Sequence, residues 1–380
     1  MTKWKFWINN DVSRSQLEPK PVPRPEGRLL DLDGLRGVAI LMVLLCHYGF
    51  ALDLMQPTPY SLQWFFFDFF ASGVNLFFVL SGFLIGGILL DHRTSPVYFR
   101  AFYGRRIFRI FPVYYGFLVF TGLAGVVLHA HGKPSPVFNA GTPYWMFFLF
   151  LQNFSLGWYG DWNWITVTMA WSLALEEQFY LTLPIAVRRL GTKTLCRVAT
   201  LLILGAPVLR FFVPNTPHAV GSLLHQALLG DGLAAGFLCA TLVRSHFKLR
   251  SIWLGTTALV LAPLVVLTHL GSSPVEFLRE TSLLTFYSCI LLLAERGSFA
   301  VLRSFILRFF GTISYTLYLV HQSALVYLHH IVRHELPSNL GGKAIFVSIT
   351  ALLFSIAASW FSWVHLEKPL LSWARRKFRY

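Results

Sequence analysis

Charge is scarce in this sequence. Of its 380 residues 13% are charged, while 55% are hydrophobic and 16% aromatic, a balance that no water-facing surface of this size carries. A soluble globular protein is thereby excluded, and the solvent for most side chains is lipid. Cysteine is scarce too, and Cys46, Cys196, Cys239 and Cys289 all fall inside apolar segments. A disulfide framework or a zinc site needs cysteines clustered in loops or at ligand spacing, so these read as reduced packing residues and no metal site is expected. Low-complexity sequence is absent beyond Pro19, Pro21, Pro23 and Pro25, whose alternation favours an extended, semi-rigid linker. Internal repeats of the kind that mark many secondary transporters are not evident, which weighs slightly against transport. The polar N-terminal stretch has no small-residue cleavage site after it, and the apolar run that follows carries Arg36. Residues 1–31 therefore read as a retained tail and not as a signal peptide.

What is present in abundance is apolar sequence. Spanning a bilayer takes about 20 residues, and eleven apolar segments recur, at 33–53, 64–90, 110–130, 143–157, 168–187, 195–213, 221–243, 251–271, 276–294, 309–329 and 344–366. The net charge of +15 would suggest nucleic acid in a soluble protein, but here the charge sits in the tails and short loops. The positive-inside rule then decides which segments cross. The N-terminal tail, the loops 91–109, 188–197, 244–250 and 296–308, and the C-terminal tail all carry Lys and Arg clusters. They share one side only if the short segment 143–157 does not cross, because the stretch 158–167 after it holds no Lys or Arg. The expectation is an all-α integral membrane protein with about ten transmembrane helices and one re-entrant or interfacial element on the outer face. Both termini are expected in the cytoplasm, most simply at a bacterial inner membrane, with no nucleic-acid partner. The domains are a tail at 1–31, a membrane domain at 32–368 and a basic tail at 369–380.

Ionisable residues inside such segments are costly, and each is a functional candidate. Counted at about 1.5 Å per residue, His47, Asp68, Glu176 and His321 fall in one layer roughly 6–12 Å below the outer edge. A histidine beside a carboxylate suits general-base work, since the carboxylate fixes the tautomer and stabilises the imidazolium. His47 with Asp68, Glu176 or His321 meets that demand; the competing reading is helix-packing hydrogen bonds. Arg36, eleven residues before His47 and hence about 16 Å away on one helix, points to an anionic ligand from the cytosol. Arg105, Arg106 and Arg109 lie at the same face, where guanidinium groups clamp phosphates or simply set topology. Trp158, Tyr159, Trp162 and Trp164 on the outer face suit sugar stacking or an interfacial aromatic belt equally.

The run Leu32-Asp33-Gly34-Leu35-Arg36 with His47 downstream resembles the opening of the membrane-bound acyltransferase 3 family, which acylates sugars and other hydroxylated acceptors. The stretches 78–85, 105–112 and 171–180 resemble its successive signatures; they include Ser81-Gly82-Phe83, the arginine cluster, and Ser172 with Glu176. Further matches are Ser314-Tyr315 through His321 and Glu367-Lys368-Pro369. The resemblance covers about residues 30–370. It implies that Arg36 and His47 form an essential pair, that Arg106 and Arg109 form a cytoplasmic arginine motif, and that Glu176 and the Ser81-Gly82-Phe83 turn matter. One departure is Leu229, where many members have an arginine two places before the aspartate, here Asp231. Some relatives append an extracytoplasmic hydrolase-like domain; the sequence stops at Tyr380, so transfer by the membrane domain alone is expected.

The function implied is transfer of an acyl group, acetyl by preference, from cytosolic acyl-coenzyme A to a hydroxyl of a saccharide or lipid-linked glycan. His47 is the expected base, with a carboxylate orienting it. No bound cofactor is expected, and acyl-coenzyme A is a co-substrate. The rivals are O-acylation of a small cytosolic acceptor such as a macrolide, a proton-coupled secondary transporter, and a scaffold whose polar layer only specifies packing.

Overall fold

A chain in hydrocarbon must satisfy its backbone amides within each segment, and helices do so. In the computed structural model, residues 26–51, 61–131, 143–159, 167, 169–212, 228–245, 249–269, 276–333 and 342–380 are described. They form helices at Glu26–Ala51 (α1), Leu62–Ala71 (α2), Gly73–Asp91 (α3), Tyr98–Ala130 (α4), Trp145–Phe148 (α5), Gln152–Tyr159 (α6), Ala170–Arg189 (α7) and Thr192–Phe212 (α8). Asp231–Arg244 (α9), Ser251–His269 (α10), Arg279–Glu295 (α11), Phe305–Arg333 (α12), Gly342–Ser362 (α13) and Lys368–Lys377 (α14) follow. Among the described residues there is no strand, in keeping with an all-α protein.

Among the described residues five stretches are long and apolar enough to cross a membrane: Leu62–Asp91, Tyr98–Ala130, Thr192–Phe212, Ser251–His269 and Ala344–Lys377. Length and composition thus support five crossings and do not by themselves confirm ten. Three long helices outside this set, α1, α7 and α12, carry Arg36 and His47, Glu176 and Glu177, and His321, His329 and His330. Side chains that face outward on the crossing helices are apolar, among them Leu201, Leu259, Val260 and Phe346, as lipid contact requires.

The segment 143–157 forms two short helices, of four and eight residues, broken at Phe150 in the left-handed region (φ 55°). At about 1.5 Å per residue neither reaches the ~30 Å of a hydrocarbon core. Other boundaries move. α1 begins at Glu26, inside the expected tail, and the expected C-terminal tail is mostly α14, joined to α13 by a π-helical turn at Trp363–Glu367. The expected basic loop 91–109 is largely the start of α4, a helix of 33 residues. Its span of about 50 Å exceeds the hydrocarbon core, so its basic first turns can lie beyond the apolar layer. Trp162 and Trp164 lie outside the described residues.

Two backbone-to-backbone crossings hold the centre. A Cβ added at Gly82 of α3 would collide with the backbone of Leu233 on α9, and one at Gly236 of α9 with that of Val79. Gly37 of α1 and Gly311 of α12 approach the partner backbone in the same way. Small residues at such contacts are what lets helices associate where lipid removes the hydrophobic driving force. Ion pairs tie helix ends: Arg244 grips Asp91 through Nε and Nη2, both at 2.6 Å, and Arg303 grips the fully buried Asp31 at 2.7 and 3.0 Å.

Candidate active site

Five helices, α1, α3, α4, α7 and α12, line a partly open cavity. Its charged lining consists of Arg36 from α1, Arg106 and Arg109 from α4, and Glu176 from α7. Arg106 and Arg109 are one turn apart on α4, so they share a face. Arg106 lies with its guanidinium carbon 5.3 Å from the ring centre of Tyr180. Glu176 accepts hydrogen bonds from the hydroxyls of Ser81 and Tyr180, which links α3 to α7. Arg36 stands 3.4 Å from Asp33 on its own helix. Three guanidinium groups therefore face one polar space with one carboxylate, itself engaged by two hydroxyls, among them. A cavity of that balance attracts an anion.

Tyr318 of α12 closes the cavity on the side toward the histidines. Its hydroxyl and that of Ser172 are 2.7 Å apart, and its ring lies edge-on to Phe77, 6.1 Å between centres. Three residues further along α12, His321 is fully buried, 6.0 Å from the Tyr318 ring. The His47 ring packs edge-on against His321, with centres 5.1 Å apart. His47 Nδ1 donates to the Val43 carbonyl at 2.8 Å, and His321 Nδ1 to that of Leu317 at 3.0 Å. A carbonyl accepts only, so Nδ1 bears a proton on each ring, and in the neutral imidazole Nε2 keeps its lone pair. His321 Nε2 is buried without a hydrogen-bond partner.

The expected layer of four thus divides. His47 and His321 come together, but the orienting group of His47 is the Val43 carbonyl and not a carboxylate. Glu176 belongs to the cavity, while Asp68 binds Arg279 at 3.0 Å and lies 4.0 Å from His269 Nε2. The arginine cluster divides as well. Arg105 points away from the lining set: its Nε donates to the Phe378 carbonyl at 2.6 Å. Gly82 and Phe83 are interior packing elements of α3, and the Tyr315 hydroxyl donates to the Ile110 carbonyl at 2.9 Å while its side chain lines the cavity. Asp231 gains a guanidinium despite Leu229: Arg210 of α8 reaches it at 2.7 Å in a buried pair. Cys46, Cys239 and Cys289 are buried and Cys196 is half-buried, all four as free thiols.

A family model for an acyltransferase domain, that of acyltransferase 3, matches residues 29–364. The chain belongs to the acyltransferase 3 family. Within that family it is similar to "Putative peptidoglycan O-acetyltransferase YrhL" of Bacillus subtilis (strain 168), 26% identical over 376 residues, which is 91% of this chain and 55% of that protein. It is also similar to the peptidoglycan O-acetyltransferase OatA of Listeria monocytogenes serovar 1/2a, 31% identical over 164 residues, 40% of this chain and 23% of OatA. The chain spans about half the length of YrhL and about a quarter of OatA. No solved structure matches this acyltransferase 3 chain.

Two residues of the cavity, Tyr180 and Tyr318, and one buried residue outside it, Arg210, escaped sequence reasoning. Tyr180 lies four residues after Glu176 and Tyr318 three before His321, both spacings that put side chains on one helical face. That signal was available. Arg210 had none, since its partner is on another helix.

Proposed function

We propose that the protein transfers an acyl group, acetyl by its likeness to O-acetyltransferases, from acyl-coenzyme A to a hydroxyl of an envelope saccharide or lipid-linked glycan. The observation that carries this reading is a chain of neighbours: three arginines share the cavity lining with Tyr318, and the Tyr318 ring neighbours His321, which packs on His47. The arginines hold the phosphates of the donor, and the flexible pantetheine arm runs along the cavity toward Tyr318. His47 is the base. Its Nε2 takes the acceptor hydroxyl proton as the oxygen attacks the thioester carbonyl carbon; the C–S bond breaks and the thiolate of coenzyme A leaves. The Val43 carbonyl holds the tautomer, and His321 packs the ring in place. Glu176 fixes Ser81 and Tyr180 at the wall beneath Arg106. Ten crossings, with 143–157 on the outer face and both termini in the cytoplasm of a bacterial cell, fit the basic loops and let donor and acceptor arrive from opposite sides.

The test is thioester consumption by purified protein, paired with mass spectrometry of envelope saccharides from a deletion strain. Release of free coenzyme A and an acyl mass lost from one glycan support the reading. A protein that moves protons or solute without consuming thioester is a transporter, and acylation of a small cytosolic compound without a glycan change moves the acceptor to the other face.

A further inference from the structure

The C-terminal residues after α14 do not hang free. The Phe378 ring rests on Gly104 of α4, where an added Cβ would fall 2.5 Å from it, and it stacks on Phe108 with centres 6.0 Å apart. Its carbonyl accepts the Arg105 Nε–H. This brings Tyr380 onto the turn between α3 and α4. The ring lies parallel to the His92 imidazole, 3.9 Å between centres and 4° between planes, and the Arg105 guanidinium carbon is 4.6 Å from the same ring centre. Two groups so close to one ring centre take its two faces. The result is a three-layer stack of imidazole, phenol and guanidinium.

Nothing in the cavity explains that stack, yet it adjoins the cavity. Arg105 precedes Arg106, which lines the cavity, and both guanidinium charges favour the ionised form of the Tyr380 hydroxyl. An imidazole and a guanidinium facing each other across the thickness of one aromatic ring bind any flat π-system, because stacking and cation–π attraction need a face and not a particular edge. A nucleotide base has such a face, and the next guanidiniums along α4 are placed for the phosphates that follow a base.

We propose that the slot between His92 and Arg105 is a subsite for the purine base of the donor, and that Tyr380 fills it until the donor displaces the tail. This rests on the acyl-coenzyme A reading above and adds the recognition of the base to it. The tail is then an intrinsic competitor. Binding to a protein whose competent form is a fraction of the population is weakened by that fraction, so removing the competitor tightens binding of purine-bearing ligands alone.

The experiment is binding of coenzyme A and of 4′-phosphopantetheine, which lacks the purine, to the full chain in lipid nanodiscs. Tyr380→Ala should tighten coenzyme A about three- to tenfold, the change expected when a tail docked in roughly 70–90% of molecules is lost. The affinity for 4′-phosphopantetheine should stay as it was, and Tyr380→Phe, which keeps the ring, should behave as the parent. Adding His92→Ala to Tyr380→Ala should reverse the gain by about fivefold or more, the effect of one lost base stack. If Tyr380→Ala leaves coenzyme A affinity unchanged or weakens it, while Arg106→Ala still reduces it, the slot is structural and the proposal falls with the donor reading intact. Absence of coenzyme A binding by every variant, the parent included, overturns both.

Discussion

The arginine cavity and the histidine pair meet at one tyrosine, Tyr318, and are built in opposite ways. In the cavity, polar groups bond between helices: Ser81 to Glu176, Ser172 to Tyr318, Tyr315 to the Ile110 carbonyl. At the pair, each imidazole bonds to a carbonyl one turn back on its own helix and leaves Nε2 unspent. A region cross-linked by its own hydrogen bonds keeps its shape without ligand, which suits binding of a charge. A base must keep its lone pair for the substrate, so it can be held only from behind. On the proposed reading, binding is preassembled and the reactive end is held and waiting.

The comparison breaks most sharply at His47. His47→Gln keeps a hydrogen-bonding side chain but no titratable ring, and should slow acyl transfer about a hundredfold or more with coenzyme A affinity unchanged. Reduced folded yield with full activity in the surviving protein would return His47 to packing and move the base to His321. On the cavity side the order of effects inverts. Arg106→Ala or Arg109→Ala should weaken coenzyme A binding by roughly tenfold or more, the usual loss for a charge-assisted bond, and equilibrium binding at low salt reads it directly. Arg244→Ala serves as the contrast, since its guanidinium grips Asp91: thermal stability in detergent should fall while donor affinity holds.

The shared tyrosine itself yields a smaller effect. Tyr318→Phe removes the hydroxyl bonded to Ser172 and keeps the ring against Phe77 and His321, so the transfer rate should change by a few-fold, consistent with about 1 kcal/mol for one hydrogen bond. A change as large as that of His47→Gln would make the tyrosine hydroxyl part of the chemistry. The smallest effect expected is one of pH. Burial, with the Arg105 guanidinium assisting and Asp91 opposing, lowers the pKa of His92 from 6.5 when the tail is docked. With the Tyr380 ring withdrawn, His92 binds protons more readily, so docking is undiminished above about 6.5 and weakens as pH falls below it. Proteolytic sensitivity of the last residues, followed from pH 7.5 to 5.5, should rise as pH falls; a flat profile would detach His92 from the tail.

How much of this could be read from the sequence differs by residue. Arg36, His47 and Glu176 stand out because a charge or imidazole in an apolar run is costly and therefore conspicuous, and Arg106 stands out as part of the arginine cluster in the basic segment 91–109. The split of Arg105 from Arg106 does not, since adjacent residues on a helix point about 100° apart and only the neighbours reveal which one meets the cavity. Asp68 shared the depth of His47 and still belongs elsewhere, because depth fixes height in the bilayer and leaves the angle around the bundle open. Its partners Arg279 and His269 come from helices distant in sequence.

By itself the sequence determined the solvent, the helical class, the family and the polar residues worth watching, because each follows from local composition, period or a contiguous motif. Which of those residues meet was decided by tertiary structure. The glycine-mediated crossings of α1 with α12 and of α3 with α9 set the rotation of each helix about its axis. That rotation joins His47 to His321 and turns Arg36 toward the cavity, where α4 adds Arg106 and Arg109; α8, packed beside α9, gives Asp231 its arginine. A helix alone leaves its azimuth free, and only contact with its neighbours fixes it.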